Sequence, residues 1–82
     1  MNWRTARALS ILWGHAAAEV AADTGMTPMD LLAWSPDTDD LEHLEYALDR
    51  PATEFEVDEF NGAARRRAIR LANDLVEEQA RQ

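Results

Sequence analysis

Residues 14–35 read GHAAAEVAADTGMTPMDLLAWS and contain the end of one helix and the start of the next. The alanine-rich first part is typical of a helix, and Gly25 suits the left-handed backbone conformation in which helices often end. Thr27 is suited to cap a second helix, and Pro28, which has no N–H group, fits the first turn of that helix. Asp30, three residues after Thr27, completes an approximate capping box. The stretch therefore predicts two helices joined by a tight turn.

This pattern resembles the helix-turn-helix of the lambda-repressor-like (XRE, Cro-type) family. That family shows an alanine, a glycine four residues later, and then an apolar residue followed by Ser or Thr at the opening of the recognition helix. The same order is kept here by Ala21, Gly25, Met26 and Thr27. The resemblance covers roughly residues 5–50, and it implies that apolar side chains fill the space between the motif helices. Its other matching residues are Gly14, Val20, Leu31 and Trp34.

The sequence departs from this family where the family contacts DNA. The resemblance places those contacts at the start of the first motif helix and on the outer face of the second. Reading bases requires side-chain donors and acceptors, and the only charge on the second helix, Asp30, would repel phosphate. The predicted scaffold therefore resembles that of a DNA-binding protein, but the side chains at its DNA-contact positions do not. The matching residues have no side-chain hydrogen-bonding group: Ala16, Ala17, Pro28, Met29, Leu32 and Ala33.

Length and composition indicate one small domain, residues 1–82, with a single modest core. A hydrophobic content of 46% argues against disorder. Because the chain has no cysteine, a disulfide framework and a thiolate metal site are excluded. No run approaches the length of a membrane span, and the N-terminus lacks a signal-peptide pattern. We expect a cytoplasmic protein with no cofactor, no bound metal and no membrane contact.

Charge is distributed unevenly along the chain. The net charge is −8, and all eight basic residues are arginines. Residues 37–59, called here the acidic segment, carry ten acidic residues against the single Arg50. Because duplex DNA is bound largely through neutralisation of its phosphates, an acidic protein is poorly suited to it, and a basic partner surface is the better complement. Alternatively, the acidity only maintains solubility.

The remaining pattern predicts an all-α, helix-turn-helix-like bundle of about five helices. A first helix spans residues 3–13, and Gly14 separates it from the motif at about 15–34, unless one bent helix runs through both. A fourth helix at about 39–49, capped by Asp37 or Thr38, buries a leucine stripe flanked by Tyr46 or Ala47. The stripe consists of Leu41, Leu44 and Leu48.

The C-terminal third contains an ambiguous connector and a long helix. Residues 53–59 (TEFEVDE) alternate as in a strand, so we expect an extended or single-turn connector that buries Phe55 and Val57; alternatively, Thr53 and Glu56 form a capping box. The last helix, about 58–80, is longer than so small a domain needs, which indicates a homodimer seam. We expect its arginine cluster to pair with the acidic segment of the same chain or of a dimer mate. The cluster consists of Arg65, Arg66, Arg67 and Arg70.

No pattern of nucleophile, base and phosphate loop indicates an enzyme. We therefore expect a non-enzymatic interaction module on a repurposed helix-turn-helix, of the kind found in phage-type inhibitors and DNA mimics. Its predicted anchor is apolar, Met29 and Leu32, and its predicted charged contacts are Asp37, Asp39, Asp40, Glu42, Glu45, Glu56, Asp58 and Glu59. The alternative is a dimeric DNA-binding transcriptional regulator. Its contacts would be Thr27, Met29, Arg65, Arg66, Arg67 and Arg70.

Overall fold

The computed structural model describes all residues, 1–82, and consists of four α-helices without a strand. The helices are α1 (Trp3–Asp23), α2 (Pro28–Ala33), α3 (Thr38–Leu48) and α4 (Glu54–Ala80). The predicted all-α class and the long C-terminal helix are confirmed, although there are four helices rather than about five. None of the helices is both long and apolar enough to cross a lipid bilayer.

Side chains at the helix starts account for where each helix begins. Asn2 caps α1 by accepting a hydrogen bond from the backbone N–H of Thr5. The predicted capping box of α2 is present, with Thr27 and Asp30 each accepting from the backbone of the other. Asp37, one of the two predicted caps, opens α3 in the same way with Asp40. These bonds satisfy N–H groups that have no partner inside the helix.

The predicted turn between α1 and α2 forms as the local sequence indicates. Gly25 has a φ of +87°, the left-handed conformation that favours glycine. The hydroxyl of Thr24 donates to the carbonyl of Ala21 at 2.6 Å, which closes the last turn of α1. Leu31 is fully buried, whereas Val20, which the family resemblance placed between the motif helices, is exposed. The kinship with the repressor family remains a prediction.

Gly14 does not separate two helices; the alternative prediction, one helix running through both segments, is what forms, and Gly14 lies in its middle. It is buried at a close contact between α1 and α4. A Cβ atom on Gly14 would lie 2.6 Å from the carbonyl oxygen of Phe60 and 3.0 Å from the backbone nitrogen of Ala64. Glycine is required at this position by packing, because any side chain would meet the backbone of α4.

The predicted extended connector is also wrong, because α4 begins at Glu54 instead of near residue 58. The capping box of Thr53 and Glu56, which was the alternative reading of this segment, is the one that forms. Once the segment is helical, its inward positions are Glu56 and Phe60, while Phe55 is 54% exposed. The alternation that resembled a strand was therefore not a burial pattern.

The two long helices run in the same direction and carry most of the packing. Arg7 near the start of α1 pairs with Glu59, and Glu19 near its end pairs with Arg67 farther along α4. Short side chains line the contact between them, so the helix axes can approach closely. One core cluster joins α1, α3 and α4 through Ala6, Leu44, Leu48 and Phe60. A second joins α1, α2 and α4 through Ala18, Leu31, Ala68 and Ala72.

Candidate interaction surfaces

The outward face of α3 carries carboxylates that have no partner within the chain. Asp39 and Glu42 are exposed and take part in none of the chain's ion pairs or side-chain hydrogen bonds. Asp37 and Asp40 are engaged in the capping box, where the N–H of Asp40 lowers the pKa of Asp37 and partial burial raises the pKa of Asp40. The freely available charge on α3 is therefore concentrated on Asp39 and Glu42.

Tyr46 is a surface residue, although the sequence allowed either Tyr46 or Ala47 to flank the buried leucine stripe of α3. It is 89% exposed, whereas Ala47 is the residue that flanks the buried leucines. Tyr46 follows Glu42 by four residues, so the two side chains lie on the same face of α3. That spacing was the available signal, since acidic residues three and four positions away mark an outward face. Tyrosine is enriched among the residues that contribute most to binding at protein interfaces.

Several of the predicted contact carboxylates are instead used inside the chain. Glu56 is buried, and its carboxylate accepts from both terminal nitrogens of Arg50, each at 2.7 Å. Glu45 accepts from the backbone N–H of Ala52 at 2.6 Å, and Glu59 pairs with Arg7 at 3.3 Å. Glu56 is therefore unavailable as a charged contact, because it is required to hold the α3–α4 connection.

The Arg50–Glu56 pair predicts a specific dependence of stability on pH. The guanidinium of Arg50, together with the N–H of Thr53, lowers the pKa of Glu56 from 4.5 to about 2. Since the folded protein resists protonation here, this carboxylate stabilises the fold above about pH 5, and the contribution is lost as the pH falls toward about 2. We expect a loss of about 1–2 kcal/mol over that range, because solvent at Arg50 screens the pair.

Urea unfolding between these pH values, compared for wild type and Glu56→Gln, measures this contribution. The variant should be less stable at neutral pH and should lose less stability on acidification. Glu54→Gln is a matched control, because Glu54 is exposed and has no partner in the chain. Identical pH profiles for wild type and Glu56→Gln would contradict the assignment.

The arginine cluster of α4 does not pair with the acidic segment of its own chain, which was one of the two partners expected from the sequence; pairing with the acidic segment of a dimer mate stays a prediction. Arg65 donates to the backbone carbonyls of Leu32 and Trp34, so its guanidinium satisfies carbonyl groups at the C-terminal end of α2 that have no partner within the helix. Arg67 pairs with Glu19 of α1 at 2.7 Å. Arg66 and Arg70 are exposed and have no acidic partner.

The α2 residues of the alternative DNA-binding set, Thr27 and Met29, are unsuited to contact bases. Thr27 is occupied as a helix cap, while Met29 is 75% exposed and Leu32 is 41% exposed. The outward side chains of α2 thus offer no donor for base edges.

Met29 and Leu32 lie on α2, which packs against α4, whereas the acidic face lies on α3, which packs against α1. The predicted apolar anchor and the acidic face therefore belong to separately packed helices.

Concave surface is limited to two shallow depressions. One, of about 290 Å³, lies along the start of α1 and is lined by Trp3, Arg4, Arg7, Ala8 and Ile11. The other, of about 340 Å³, lies at the start of α4 and is lined by Ala52, Glu54, Val57 and Asp58. Neither brings a nucleophile together with a base.

No protein-family model matches the chain, and the comparisons with curated proteins and with solved structures give no match either.

Proposed function

We propose that the protein is a non-enzymatic interaction module whose acidic α3 face binds a basic surface of a partner protein. The observation that carries the proposal is Tyr46, an almost fully exposed aromatic side chain one turn from Glu42. A tyrosine ring supplies a large contact area with little loss of conformational freedom, and the carboxylates around it supply charge. Together they form an aromatic anchor with an acidic surround.

The charge of the chain supports a basic partner. The net charge is −8, and the single arginine of the acidic segment, Arg50, is paired with Glu56. Complementary charge speeds the encounter of partners and disfavours wrong ones. Regularly spaced carboxylates on an exposed helix can also occupy the place of nucleic-acid phosphates, so the basic surface of a nucleic-acid-binding protein is the partner chemistry that fits best. A phage-type inhibitor or DNA mimic acts in this way.

The DNA-binding regulator is the alternative, and the uses of the arginines weigh against it. Arg65 and Arg67 are engaged within the chain, which leaves Arg66 and Arg70 as free cations on α4. Two cations on a protein of net charge −8 provide little phosphate neutralisation. The six-residue α2 adds no side-chain donor. A salt series of duplex-DNA titrations separates the two functions, since micromolar binding with a steep salt slope would establish the regulator.

A charge-matched pair of variants tests the proposed face. Asp39→Asn/Glu42→Gln removes two charges from α3, and Glu77→Gln/Glu78→Gln removes two from the exposed end of α4. We expect the first variant to lose capture of a basic nucleic-acid-binding protein by about tenfold or more, because both carboxylates face the partner. The second should retain capture. Pull-down followed by titration of the purified partner measures both, with circular dichroism to verify folding.

Tyr46→Ala extends the same test to the anchor. We expect its loss in affinity to exceed that of Phe55→Ala, which removes an exposed ring from α4 instead. Equal losses for the two charge variants would mean that binding depends on net charge alone and that α3 is not the contact face, and no effect of Tyr46→Ala would mean that Tyr46 is not the anchor.

A further inference from the structure

Three exposed apolar side chains and a half-buried glycine lie on one line along α4. Phe55, Gly62, Ile69 and Val76 recur every seven residues. Since seven residues make almost two complete helical turns, the four lie close to one straight line on the helix. Phe55 is 54% exposed, Ile69 is 39% exposed and Val76 is 52% exposed. This stripe, called here the α4 stripe, has the spacing of one position of a coiled-coil heptad.

Charges flank the α4 stripe in an ordered way. Asp58 and Arg65 lie on one side of it, seven residues apart, and Glu59 and Arg66 lie on the other with the same separation. The acidic member of each side comes before Gly62 and the basic member comes after it. Arg66 is exposed and has no acidic partner in its own chain, and Asp58 is exposed and unpaired as well. Glu59 and Arg65 are half-buried and already bonded within the chain, Glu59 to α1 and Arg65 to the end of α2, so a second copy would add a further partner to each of them.

We propose that two copies of this chain associate through their α4 stripes, antiparallel, with the helices crossing at Gly62. In this register Phe55 of one copy packs on Ile69 of the other, and the contact is made twice by symmetry. In antiparallel helix pairs, flanking residues on the same side face each other. Glu59 therefore faces Arg66 of the second copy, and Asp58 faces Arg65 of the second copy. Gly62 has no side chain of its own at the crossing, and the guanidinium of Arg66, which lies over Gly62 in the single chain, turns toward Glu59 of the second copy. Val76 lies beyond the contact in this register.

Other arrangements of the same stripe are less favourable. A parallel pair brings opposite sides together, so it would set Arg65 of one copy against Arg66 of the other, with repulsion at both symmetric positions. An antiparallel crossing one heptad later, at Ile69, would place Arg66 opposite Asn73 and would form no ion pair. The charge pattern therefore selects both the direction and the register of a second copy. The α3 face is not on the stripe, so the inference goes beyond the proposed function and does not depend on it.

Self-association of the full chain is the first test. Sedimentation equilibrium over about 1 µM to about 1 mM should give a monomer–dimer equilibrium. Arg66→Glu should weaken the dimer by about tenfold or more, because it sets like charges opposite each other at two symmetric positions. Arg70→Glu is the matched control, since it makes the same charge change one turn away and off the stripe. Thermal unfolding in dilute solution checks that both variants fold. A chain that stays monomeric throughout, or equal effects of the two substitutions, would overturn the proposal.

Cysteine cross-linking tests the register, and it is unambiguous because the chain has no cysteine of its own. Under mild oxidation, a mixture of Phe55→Cys and Ile69→Cys chains should form the mixed disulfide as its main product. Either variant alone should not cross-link efficiently, because its two cysteines lie roughly 20 Å apart along the helix pair. Efficient self-cross-linking of Ile69→Cys alone would indicate the other crossing or a parallel pair and would overturn the proposed register.

Discussion

Replacing Gly14 by alanine is expected to destabilise the fold by about 2 kcal/mol, although alanine is the better helix former. The new methyl group would lie 2.6 Å from the carbonyl oxygen of Phe60, a backbone atom in the middle of α4. It can be accommodated only if α1 and α4 move apart, which separates the small-residue contacts that join them. Overpacking of this kind costs about 1–3 kcal/mol or more, and it outweighs the gain of about 1 kcal/mol from helix propensity.

Gly62→Ala provides the matched comparison with the opposite expected sign. A Cβ atom at Gly62 would meet only the end of the flexible Arg66 side chain, at 3.0 Å from its Nη1. The substitution should therefore stabilise the helix by about 0.5–1 kcal/mol. Urea denaturation in dilute solution, where self-association does not contribute, measures both. Equal stabilisation by the two alanines would show that the α1–α4 contact at Gly14 is looser than described.

Leu31→Ala is expected to cost about 3 kcal/mol, within the range of about 2–5 kcal/mol for buried leucines. Leu31 is the only buried side chain of α2 and is completely inaccessible to solvent. The fully buried residues of its cluster are Ala18, Ala68 and Ala72, whose short side chains cannot extend into the space that it would leave, while the larger side chains that border the cluster are only partly buried. The cavity would therefore be filled only in part, or α2 would detach from α4.

Leu32→Ala distinguishes the role of packing from that of helix composition. Leu32 is the adjacent residue on the same helix, but it is 41% exposed, so its truncation should cost less than about 1 kcal/mol. Hydrogen exchange should report the difference locally, with loss of protection in α2 for Leu31→Ala but not for Leu32→Ala. Similar stability of the two variants would mean that α2 is not held through Leu31.

Local sequence rules predicted the parts of the fold that depend on neighbouring residues. The capping box of Thr27 and Asp30 and the left-handed Gly25 formed as expected, because each involves atoms within a few residues of one another. The same rules failed at residues 53–59, where two local signals competed. The capping box prevailed over the strand-like alternation, since no second strand exists to pair with an extended segment.

Surface residues were harder to predict because exposure depends on the other helices. Phe55 was assigned to the interior, and Tyr46 was one of two candidates for the margin of the α3 leucine stripe, yet both are exposed. Glu56 is charged and was assigned to the surface, yet it is buried against Arg50, six residues earlier. Which face of a helix is covered depends on the direction of its neighbours, and no spacing within one helix contains that information.

The sequence by itself determined the all-α class, the helix caps, the turn at Gly25 and the strongly acidic charge, because these follow from local hydrogen bonding, backbone conformation and composition. Only the tertiary structure established that Gly14 is a contact point between helices and that Glu56 belongs to an internal ion pair. It also established that Arg65 donates to carbonyl groups at the C-terminal end of α2. Each of these depends on groups brought together from separate parts of the packed chain. The physical reason is that the residue spacing within a helix defines its faces, but only packing against another helix decides which face is buried and which is exposed.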